Sequence, residues 1–420
     1  MNIFQARTTR RKALALGAAA SVALPRVSFA RQNTTLTFAN WQWLEPGRGD
    51  LMWEAIRAFE EVSGGITLEQ QAIPRAQYES TIQTQIGGGG GPDILIIPPA
   101  FLFQGGSAGV LESLDDVLAD DAKGRLQPNN ERGVYEGQQL GFTWEAVNWA
   151  FFWNKSILAE AGVEAPTDVE SLISTATAIT EATGNPAFAV RHQLNELQPW
   201  WNDFSSWPLA FGGGWSADGE LTIDLPENGE AVRTLQRLYD SGAMPIGDDA
   251  STFRSRFAQG EIAMMIDNAS VVYSMVTDND VVTSEDIGSS ALPFPTDDSS
   301  QVVNFIGINA NSENADAAKE FIAWLFSEEG QVQAAKGVFP STAGTDTAPP
   351  AEIVEANPWI ETYREQAKLS TGSPLVDGFE LETPEIMNVV MTQIASVLIQ
   401  NVDPQEALEL AQQEAEASIG

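Results

Sequence analysis

Trp43 and Glu45, Trp144 and Glu145, and Trp201 and Asp203 each set a tryptophan within two residues of a carboxylate. An indole face offers broad apolar contact, and a fixed carboxylate offers charge-assisted hydrogen bonds to hydroxyls or an ion pair to an amine. Such pairs suit a flat C–H surface rimmed by hydroxyls, or a small organic cation. Further candidates of the same kinds are Asn40 and Asn304 near strand ends, Trp200 and Trp215 in an aromatic run, and Asp267 with Asn268 after a strand. On a strand of period two, Trp144 and Glu145 point to opposite sides, so only one of them is expected to reach a ligand.

Other chemistries find few residues. There is no cysteine, which excludes disulfides and thiolate sites, and His192 is the single histidine, which excludes multi-histidine zinc. No G-x-S-x-G accompanies His192, and the five tyrosines include no doublet for ferric iron. Hydrolysis by two carboxylates is a remote alternative, because acids are so abundant that some pair will lie close by chance and nothing marks one as a general acid. The glycines at 87–91 precede a strand, and no Gly-Lys-Ser/Thr closes them, so they read as a helix stop rather than a phosphate loop. Neither metal nor cofactor is expected.

The elements that must position these side chains begin after an atypical leader. Residues 1–30 carry Arg7, Arg10, Arg11, Lys12 and Arg26 without an acid, then an apolar run, then Ser28-Phe29-Ala30, a small-x-small cleavage pattern. The segment TTRRKALAL is similar to a twin-arginine export signal, and no lipid-bearing cysteine follows. A freely diffusing periplasmic protein is the expected address. The chain has 58 acidic and 22 basic residues, a net charge of −36, which repels nucleic acid and anionic lipid and suits a salty milieu.

At 420 residues the chain suggests two lobes. Strands are expected at 36–39, 66–73 and 94–97, alternating with helices from Asp50 and after Pro74, the rhythm of a parallel sheet covered on both faces. The stretch 137–155, GQQLGFTWEAVNWAFFWNK, reads as a strand leaving one lobe for the other. A capping box at 167–170 starts a helix, whereas 193–215 reads as an irregular aromatic loop and 267–270 as a turn. Further strands are expected at 262–266, 291–294 and 302–310, and helices at 226–241, 315–326 and from near Pro350, Pro384 and Pro404.

Four segments in this order resemble a known family: GGGGGPDILIIPP, the crossover stretch through TDVESL, FRSRFAQGEIAMMIDNAS and FIGINANSENADAAKEFIAWLFSEEGQ. Together they resemble the sugar-binding solute-binding proteins of ABC importers, the family that includes maltose-binding protein. The resemblance implies an α/β two-lobe periplasmic binding protein fold, each lobe a mostly parallel sheet flanked by helices, joined by crossover strands. Lobe one would take 33–145 and 271–333, and lobe two 146–270 and 334–420. It implies a non-enzymatic, monomeric receptor for an oligosaccharide or glycoside, delivering to the membrane subunits of an ABC permease. A polyamine or other small cation on the same fold is the alternative, with an extracellular glycosidase behind it. The family's Gly-Pro-Trp turn is Asn268-Ala269-Ser270 here, so the tryptophans of 200–215 are expected to supply the stacking.

Overall fold

A computed structural model describes residues 33–45, 48–338 and 344–419. The expected leader lies outside the described residues. Among those described, no helix is long and apolar enough to cross a membrane.

The first lobe is built on β1 (Thr34–Asn40), β2 (Ile66–Ala72) and β3 (Ile94–Ile97), with β1 parallel to both of the others. All four residues of β3 are fully buried, as a strand covered on both faces requires. Between the strands run α1 (Arg48–Val62) and α2 (Arg75–Gly87), followed by α3 (Pro99–Ser107). Tyr78, Ile82 and Ile86, at helical spacing, bury the inner face of α2. Gly89 and Gly91 then take positive φ, and a Cβ on Gly91 would meet Asn309 at 3.3 Å, so the glycine run ends a helix and admits a close neighbour.

The crossover strand Phe142–Asn154 belongs to both lobes. Its first half pairs antiparallel with the return strand Gln301–Ile308, which in turn pairs with β3. Its second half pairs with Met264–Asn268 and with Ile287–Ser290. Its large side chains divide among the cores: Phe142 and Trp144 enter the first, whereas Phe151 and Phe152, by alternation, enter two cores on opposite faces of the second sheet.

The lobe boundaries differ from those expected. Val272, Met275 and Ile287 pack in the second lobe, held there by the pairing of Ile287–Ser290, so the chain returns to the first lobe only at Gln301–Ile308. The helix Glu328–Val338 stays with the first lobe, where Ala334 joins the core and Gly337 fits against the backbone of Met52.

Local readings shift for identifiable reasons. Residues 197–210 are helical, as Leu197–Phe204 and Ser206–Ala210, because Trp200, Trp201, Phe204 and Trp207 recur at helical spacing. Asn268 opens no turn; its Oδ1 accepts from Val271 N and caps the helix Ala269–Val276. The cap of Val169–Thr183 is Asp168 with Ser171, one position beyond the expected box. No strand forms at 291–294, and the strand lies at Ile287–Ser290 instead.

Candidate functional site

Where the turn after β1 brings Gln42 to the crossover strand, a polar knot forms inside the first lobe. Glu145 is buried and accepts from Arg48 Nη2 at 2.6 Å, from Asn304 Nδ2 at 3.1 Å and from Gln42 Nε2. Gln42 takes Trp144 Nε1–H on its Oε1 at 2.7 Å and is held by Asn40 through two further bonds. Trp144 and Glu145 therefore serve one partner from consecutive positions. Their strand carries a bulge there: Asn304 faces Glu145 and Phe305 faces Thr143, leaving Trp144 as the extra residue, which breaks the alternation expected of it. Glu45, part-exposed, accepts from Arg48 at 2.9 Å. Burial pushes its carboxyl up, against the pull of Arg48 and with the push of Glu145.

A second ionic network lies in the other lobe. Asp203 accepts from Trp149 Nε1 at 2.9 Å and from Arg191, which also reaches Glu196 at 3.2 Å. Asp267 takes both arms of Arg254, at 2.8 and 3.0 Å, and the backbone N–H of Asn268. Burial pushes Asp203 up to about 6, the charge of Asp267 adding to it and those of Arg191 and Arg254 opposing.

Two chambers open between elements of the two lobes and share Pro99 and Leu375. The larger, about 820 Å³, lies between α2 and α3 on one side and Trp201, Asn202 and the segment 374–387 on the other. Its polar lining is mainly amides and hydroxyls, among them Ser80, Gln83, Gln104, Gln198, Asn202 and Asn304. Its only charged side chains, Arg75 and Glu79, pair with each other at 3.1 Å. The smaller, about 560 Å³, holds Trp215, Phe103, Gln301 and Arg132. The two chambers' tryptophans stack: Trp201 and Trp215 lie 5.4 Å apart at 19°.

The sequence profile of the bacterial extracellular solute-binding proteins matches residues 44–332. The chain belongs to this family. The diacetylchitobiose-binding protein of Streptomyces coelicolor is 26% identical over 267 residues, 60% of either chain. The maltotriose-binding protein of Pyrococcus abyssi is 24% identical over 261 residues, 60% of this chain and 54% of that one. The matches span little more than half the length of the curated relatives. Among solved structures, the GacH receptor of Streptomyces glaucescens, solved unliganded and with acarbose, has TM-score 0.79 at 21% identity, over 92% of this chain and 98% of its own. The cyclic alpha-maltosyl-1,6-maltose binding protein of Arthrobacter globiformis has TM-score 0.79 at 19% identity, over 92% and 99%. These likenesses carry the fold, the two-lobe periplasmic binding protein fold expected from the sequence.

In this solute-binding protein the sequence-derived candidates divide into two groups. Trp201 and Asn304 line the larger chamber and Trp215 the smaller. Trp43, Trp144 and Trp200 are core side chains instead, the first two meeting edge-on at 6.3 Å, because strand and helix geometry turn them inward. Asn40, Glu145, Asp203 and Asp267 are buried and bonded to neighbouring protein groups, Asn268 caps a helix, and Glu45 sits at the edge of its knot. Sequence reasoning passed over Gln198 and Asn202, adjacent to named residues, and Arg132. It also passed over Trp41, which carries Arg75 over its ring at 4.8 Å at the edge of the larger chamber. Proximity to Trp201 could have pointed to the first two; the others carry no spacing signal.

Proposed function

We propose that this solute-binding protein captures a carbohydrate between its lobes and hands it, unaltered, to the membrane subunits of an ABC importer. Export by the twin-arginine-type leader to the periplasm belongs to the same reading, as does a monomeric receptor. The observation that carries it is the lining of the larger chamber. In a chain with 58 acidic residues, that chamber presents amides, hydroxyls and an indole, and its two charges cancel. Amides donate and accept at once, as hydroxyl-rich ligands require, whereas a polyamine in this chamber would find one carboxylate, Glu79, already paired with Arg75. Trp201, Asn202, Asn304 and Gln198 are the proposed ligand contacts here. The buried knot around Glu145 holds Asn304 in place through its 3.1 Å bond.

Closure follows from differential contact: ligand held on one lobe favours the state in which the other lobe also touches it. Calorimetry and tryptophan emission with neutral di- and trisaccharides test the reading, with putrescine as the competing ligand. A saccharide is expected to bind, shift the emission and be recovered intact. Putrescine binding that weakens steeply with salt, without saccharide binding, would replace the carbohydrate with a cation.

A further inference from the structure

Three largely buried arginines are answered by carboxylates: Arg48 by Glu45 and Glu145, Arg191 by Glu196 and Asp203, Arg254 by Asp267. Arg125 and Arg132 are bound by carbonyls instead, and of these two only Arg132 lines either chamber. It stands in the short helical turn Pro128–Gly133 of the first lobe and lines the smaller chamber. Its Nη1 donates to Gln301 O at 3.3 Å and its Nη2 to Thr371 O, so both recorded partners are neutral carbonyls. Among the described residues no carboxylate pairs with it, although acids outnumber bases 58 to 22 in the chain. Burial alone moves its pKa, downward, with no acid near enough to oppose that.

Resting on the carbohydrate reading, we infer that the smaller chamber receives the carboxylate of an acidic sugar, a uronate, with Arg132 as its counter-charge. A guanidinium has five N–H donors in a planar fork, and the two carbonyls occupy two of them. The same chamber is lined by Trp215, whose indole offers apolar contact to a sugar ring. A carboxylate answers the guanidinium donors that the carbonyls leave open. Glu131, Asp377 and Glu380 also line it; among the described residues none pairs with a basic side chain, and none acts on the Arg132 guanidinium. The larger, charge-balanced chamber would hold the neutral part of the same ligand.

Calorimetry of the full chain tests this with three kinds of disaccharide: uronate-bearing, neutral with the same linkage, and sulfated. A uronate disaccharide is expected to bind at least tenfold more tightly than its neutral counterpart at 0.01 M salt, with a preference that shrinks in 0.5 M salt, where the screening length falls from about 30 Å to about 4 Å. Arg132→Gln should cost the uronate tenfold or more and the neutral sugar less than twofold, and Arg132→Lys should restore part of the preference. If Arg132→Gln fails to fold, the wild-type preference and the lysine variant decide. Equal or tighter binding of neutral sugars overturns the inference and leaves the carbohydrate reading standing. A preference for sulfate over carboxylate overturns the assignment of the anion. Binding of none of the three overturns both.

Discussion

In the first lobe a single carboxylate, Glu145, is met by three side-chain donors and shares Arg48 with Glu45. In the second, Asp203 and Asp267 each have an arginine of their own, yet the charge of Asp267 still raises the proton affinity of Asp203. The first arrangement fixes a strand end: removing any member strands the others in a buried place. The second is open to protons, and it sits on the helix Leu197–Phe204 that carries Trp201 to the larger chamber. One wall of the cleft is therefore fixed by a buried ion pair with several donors, while the other is attached through a group that titrates.

The largest expected effect breaks the rigid side. Glu145→Ala would take from Arg48 its fully buried carboxylate and from Gln42 and Asn304 the acceptor they share. Losing one partner of a buried ion pair costs about 3–5 kcal/mol. Urea unfolding at pH 7 should show a loss of that size, and Glu145→Gln a smaller one. A loss below about 1 kcal/mol would show that the knot is not what fixes this strand end.

Much of this contrast was hidden in the sequence, and the reason is geometric. The parallel order of β1, β2 and β3, the crossover strand and most helices follow from apolar period and glycine stops, and the structure has them within a few residues of expectation. Aromatic–acid pairs close in sequence proved a weaker guide. Trp43 and Trp144 turn into the same core; Glu145, Asp203 and Asp267 are claimed by Arg48, Arg191 and Arg254, arginines that no sequence pattern links to those acids in advance. The bulge at Trp144 and the helical course of 197–210 depend on pairing and packing across the fold; only the second left a trace, the 3–4 spacing of its aromatics.

The titrating side predicts a pH dependence whose sign is fixed. Asp203 is raised from 3.8 to about 6, so the folded chain keeps a proton that the unfolded chain has released. Stability from this group is full below pH 3.8, falls as pH rises to about 6, and is flat above. The amplitude is roughly 2–3 kcal/mol. Glu45 acts in the same direction, whereas Asp115, Asp168, Asp249 and Asp286, held down by hydrogen bonds, act oppositely below about pH 4.5. Urea midpoints between pH 4.5 and 7.5 should therefore decline with rising pH, and Asp203→Asn should flatten the slope. An unchanged slope in that variant would assign the dependence elsewhere.

Neighbouring tryptophans in the second lobe give the smallest and most selective test. Trp200 is a core side chain, whereas Trp201, one residue on, stacks on Trp215, donates to Pro374 O at 2.6 Å and lines the larger chamber. Both are almost fully buried, so burial alone does not separate them. Trp201→Leu should weaken saccharide binding about tenfold, near 1.4 kcal/mol, because the stacking face is lost along with area. Trp200→Leu should lower the melting temperature and leave affinity within twofold, since its ring serves packing alone. Calorimetry on both variants, below the melting temperature of the weaker, separates the outcomes. Equal losses of affinity would place the ligand against the helix as a whole rather than against the Trp201 face.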